Sequence, residues 1–111
     1  MKKVEKSRKK RADKMAKILT QVSYVFGVRL QDMMSAERGL PIVCDARMAA
    51  YYFLCDHAEQ KEVGKIMGAR TAHAVRVAVN KVPGKRRRCA VFSKNMGEIE
   101  KLTNGKELVK C

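Results

Sequence analysis

Residues 61–79 (KEVGKIMGARTAHAVRVAV) constrain this chain most. They read as a short helix, a sharp turn at Gly68 and a second helix. Val75, Ala78, Val79 and Val82 recur at helical spacing on one side of that second helix. Glycine suits such a turn because it takes up backbone angles that other residues avoid. The rest of the core has few aromatic residues to draw on: three Tyr, three Phe and no Trp. A core of Val, Ile, Leu, Met and Ala favours packed helices over a sandwich or barrel. The predicted fold is therefore all-α, a small helical bundle containing a helix-turn-helix.

The formal charge of +14 is unevenly spread. Residues 1–17 hold nine Lys/Arg against two acids, residues 18–80 seven against six, and residues 81–111 nine against three. A nearly neutral middle between two basic ends suggests a folded unit with segments that attract polyanions. We accordingly divide the chain into a basic N-terminal arm (1–11), a helix-turn-helix domain (12–82) and a basic tail (83–111).

Within the domain, Met15, Ile18, Leu19, Val22, Val25 and Phe26 mark one face of an amphipathic helix that exits at Gly27. Residues 28–30 are expected to run extended, and 32–41 to form a turn of helix and a loop. Pro41 fits the first turn of the next helix. Residues 42–57 form the longest apolar-rich segment, predicted as a central helix burying Ile42, Val43, Ala46, Ala49, Ala50, Phe53 and Leu54. The helix after Gly68 is expected to stop at Pro83-Gly84. Beyond KRRR (85–88) lie a small apolar patch at 89–92 and a predicted short helix at 98–102.

Three blocks together resemble the C-terminal DNA-binding domain of the bacterial replication initiator DnaA. They are VSYVFGVRLQDMMS (22–35), IVCDARMAAYYFL (42–54, preceded by Arg38) and EVGKIMGARTAHAVRVAV (62–79), in the family's order and approximate spacing. The resemblance covers 18–82. It implies a helical domain whose second helix enters the major groove while a preceding basic loop reaches the minor groove. The framework residues carry the match: Val63, Gly64, Gly68, Arg70, Val75 and Ala78. The family's Asp-His-Thr-Thr reading core is replaced by Thr71-Ala72-His73-Ala74, so the resemblance extends to the fold and not to the nine-base DnaA box. The family's ATPase half has no counterpart, since no G-x-x-x-x-G-K-[ST] phosphate loop is present.

On this reading Arg70, Thr71, His73 and Arg38 are candidates for base contact. A guanidinium at Arg70 would suit guanine O6/N7, and Arg38 a narrow A·T-rich minor groove. Thr71 is equally explained as a helix cap. Arg47, Lys61, Lys65, Arg76, Lys85, Arg86, Arg87 and Arg88 are candidates for phosphate contact, which positions a reader without specifying sequence. The expected partner is double-stranded DNA, for a factor accessory to replication or regulating transcription. Two alternatives are a structured-RNA binder and a protein-interaction module that no longer reads DNA.

No enzyme, cofactor or metal is expected. Cys55 and His57, two apart on a helix, point to different sides and make a poor thiol–imidazole dyad. Cys44, Cys55, His57 and Cys89 lack zinc-ligand spacing. The four cysteines read as reduced thiols in a cytoplasmic, nucleoid-associated protein. Residues 1–17 lack the apolar run of a signal sequence, and no segment has transmembrane length, so no membrane partner is expected.

Overall fold

In the computed structural model, the described backbone covers residues 2–35, 39–68 and 70–110, with side chains described between 12 and 103. The expected all-α bundle is what the chain forms: six helices, and no strand among the described residues. α1 (Lys2–Phe26) buries Met15, Ile18, Leu19, Val22 and Phe26, a single stripe at three- and four-residue steps. Its backbone is helical from Lys2, so residues 2–11, read above as an arm, continue the first helix.

α2 (Leu30–Met34) begins two residues earlier than the expected turn of helix, with Arg29 extended before it. α3 (Pro41–Leu54) starts on its proline and lies at the centre, packing against α1, α2, α4 and α5. Ala46, Ala49 and Ala50 are fully buried along it, and their small side chains let its neighbours come close. Ile42, expected in the same stripe, is partly exposed at the helix start. Residues 55–57 form a turn and not the last turn of α3.

α4 (Gln60–Ile66) and α5 (Ala72–Arg88) follow as the predicted short and long helices. The expected stop at Pro83-Gly84 does not occur, because α5 carries Pro83 inside it and ends at Arg88. A proline there removes one N–H donor and crowds the preceding turn. Its ring lies on the solvent side, while Val82 beside it is fully buried and holds the helix to the core.

α6 (Ala90–Lys110) is the largest departure from expectation. In place of a tail with a short helix, the chain forms a long one that buries Phe92, Met96 and Ile99 against α1 and α5. Phe92 meets Phe26 with ring centroids 6.1 Å apart, joining the first and last helices. Phe92 of the apolar patch at 89–92 and Ile99 of the segment 98–102 thus share one buried stripe with Met96, while Val91 and Leu102 face solvent.

Candidate nucleic-acid interface

The turn between α4 and α5 is built at backbone contact. The Arg70 N–H donates to the Gly64 carbonyl at 2.8 Å. A Cβ at Gly64 would stand 2.1 Å from the Arg70 carbonyl oxygen, so only glycine fits there. Gly68 takes φ +92°, and a Cβ on it would meet the Met34 carbonyl at 2.3 Å. Thr71 then caps α5, its hydroxyl oxygen accepting from the Ala74 N–H at 3.1 Å. Val63, Met67 and Val75 seal this corner from within.

Two of the predicted DNA-contacting arginines make hydrogen bonds within the fold. Arg47 is only 6% exposed. Its Nε donates to the Met33 carbonyl at 2.9 Å, and its Nη2 to the carbonyls of Asp32 at 2.7 Å and Ser35 at 3.1 Å. It therefore satisfies the carbonyls at the end of α2. Arg70, expected to contact a base, donates from Nη2 to the Ser35 carbonyl at 2.7 Å and from Nη1 to the Met67 carbonyl. Its guanidinium ties the turn to α2. One carbonyl, that of Ser35, thus accepts from both arginines.

The KRRR run divides in two. Lys85 pairs with Asp45 of α3 at 2.7 Å and lies 5.7 Å from the centroid of the Phe92 ring. Arg86 forms a two-point fork with Glu100 of α6, both contacts 3.1 Å. That hydrogen-bonded carboxylate raises the Arg86 pKa above its ordinary value. These two half-buried cations are paired with carboxylates of other helices, whereas Arg87 and Arg88 are exposed.

The remaining candidates lie at the surface. Lys61 and Lys65 are exposed on α4, four residues apart and so on one side of it. His73 is exposed in the first turn of α5. Arg76 is exposed one turn on, its Nε donating to Gln60 Oε1 of α4 at 3.3 Å. Arg38 lies outside the described residues.

The solvent side of α5 also carries three residues that sequence reasoning missed: Val77, Asn80 and Lys81. They continue the spacing begun by His73 and Arg76, and complement the buried Val75 and Val82. Their signal was present in the helical periodicity, since all three precede the expected stop at Pro83-Gly84 and lie opposite the buried Val75 and Val82. The sequence of α5 contains no Asp or Glu. Its outward face therefore presents His73, Arg76, Val77, Asn80, Lys81, Arg87 and Arg88 without a carboxylate of its own.

Elsewhere the chemistry is sparse. Burial, with Asp56 adding to it, pushes the Cys55 thiol up, which disfavours the thiolate a nucleophile needs. Among the described residues no group of three or more His, Cys, Asp or Glu could hold a metal ion, and no helix is long and apolar enough to cross a membrane.

Fold and surface together define an all-helical bundle in which the outward face of α5 is cationic and carries no acid of its own. Set against protein-family models, curated proteins and solved structures, the chain matches none of them.

Proposed function

We propose that this chain is a non-enzymatic double-stranded DNA-binding protein that lays α5 in the major groove. The observation that carries the reading is the outward face of α5, where cations and hydrogen-bonding side chains stand together with no acid among them. A B-form major groove about 12 Å wide admits one helix, whose diameter with side chains is ~10–12 Å. Lys61 and Lys65, exposed on the neighbouring α4, supply phosphate contacts beside the groove. The resemblance of residues 18–82 to the DNA-binding domain of DnaA supports the same orientation, with α4 behind α5. Such a reader suits an accessory role in replication or the regulation of transcription.

The test is selection from a random duplex library at about 150 mM salt, where sequence-independent electrostatic binding is suppressed. The expected outcome is an enriched duplex motif, lost in His73→Ala/Arg76→Ala, with duplex RNA bound more weakly. Equal affinity for RNA together with no enrichment would overturn the proposal. Arg70→Ala is a poor probe of this question, because it breaks the tie to Ser35 and Met67.

A further inference from the structure

The side chains on the outward face of α5 are sorted by type as well as by exposure. At 100° per residue, His73, Val77, Asn80 and Gly84 fall within a ridge about 60° wide. Arg76 and Arg87 lie along one edge of that ridge, and Lys81 and Arg88 along the other. The ridge carries a hydrogen-bonding ring, a branched apolar side chain and an amide. The edges are permanently cationic.

The lower end of the ridge shows the arrangement directly. A methyl at Gly84 would lie 3.8 Å from Arg88 Nη2 and 3.9 Å from Arg87 Nη2. Two guanidinium groups therefore straddle the point where the ridge has no side chain. Their neighbours in sequence, Lys85 and Arg86, turn inward to Asp45 and Glu100.

Building on the DNA-binding reading above, we propose that α5 lies lengthwise in the groove with its two cationic edges on opposite phosphate strands, and that Val77 and Asn80 read an A·T pair. The chemistry is specific to that base pair. An asparagine amide donates to adenine N7 and accepts from its N6 amino group, and a valine methyl packs on the thymine C5-methyl. His73 reaches a neighbouring pair. From His73 to Asn80 the helix rises about 10 Å, or roughly three base-pair steps. The readout is thus three to four base pairs long with A·T at the Asn80 end, and it stops at Gly84, where Arg87 and Arg88 take over on phosphate.

The experiment compares four proteins in the duplex selection and in salt titrations on the selected site: wild type, Asn80→Ala, Val77→Ala and Arg87→Ala/Arg88→Ala. All the altered positions are exposed, and unchanged thermal melting verifies the fold. Asn80→Ala is expected to lose roughly ten- to a hundredfold discrimination at one A·T position, with an unchanged slope of log affinity against log salt. Val77→Ala weakens preference at the same or the adjacent pair. The double arginine variant keeps the motif, and its slope becomes shallower by about 1.8. A wild type that selects no motif would sink the DNA reading and this inference with it. A motif that Asn80→Ala retains at full strength would overturn the inference alone and leave DNA binding standing.

Discussion

Three backbone carbonyls share the buried guanidinium of Arg47, and one of them, at Ser35, is also held by Arg70. Charge-assisted hydrogen bonds of this kind contribute about 1.5–3 kcal/mol each, and a buried carbonyl left without a donor costs about 1–3 kcal/mol. Arg47→Ala is therefore expected to destabilise the fold by roughly 3 kcal/mol or more, read as a lower urea midpoint. Arg47→Lys should rescue little, since a point-like ammonium cannot reproduce the fork. Both arginines sit close to Tyr51, whose phenol is pushed up by burial, an effect that Arg70 and then Arg47 partly oppose. A raised folded-state pKa means that the native protein holds this proton more tightly than the unfolded chain. Stability is then complete below the ordinary phenol value of about 10 and is lost as pH rises through it. Urea midpoints measured on either side of that value should fall on the alkaline side, and fall less in Tyr51→Phe. None of this was legible in the sequence, where an arginine that reaches backbone carbonyls and one that reaches phosphate look alike. Only the burial of Arg47 and the closeness of Ser35 to Arg70, 35 residues away in sequence, tell them apart.

Among the elements, α1, α3 and the α4–turn–α5 pair were readable, because each advertises a buried stripe at helical spacing or a glycine with a defined task. α6 was not, because only Phe92, Met96 and Ile99 mark its stripe, among Ser93, Asn95, Gly97 and Glu98, and its first turn follows a run of four cations. Periodicity on that helix is too weak to outvote its charge, and its burial depends on meeting α1 and α5. The consequence is measurable at Phe92, which is 1% exposed. Phe92→Ala should cost about 3–5 kcal/mol, the range for emptying a packed aromatic site, whereas a residue in a solvated tail would cost almost nothing. The proline in α5 was misread for a related reason. Its local penalty was visible, but Val82, Lys85 and Arg86 carry the helix past it through the core and through partners on other elements.

Over the whole molecule, folding changes how the +14 charge is displayed. Lys85 and Arg86 are masked by Asp45 and Glu100 only while α3, α5 and α6 are assembled. The unfolded chain releases those cations and gains flexibility to wrap a polyanion. A ligand that binds both states stabilises the native one only by the difference in affinity. Heparin, which matches charge but not shape, should therefore leave the melting temperature unchanged or lower it at low salt. A duplex fitted to the outward face of α5 should raise it. The pair of internal ion pairs thus makes thermal melting a discriminator between partners that recognise the folded surface and partners that recognise charge alone.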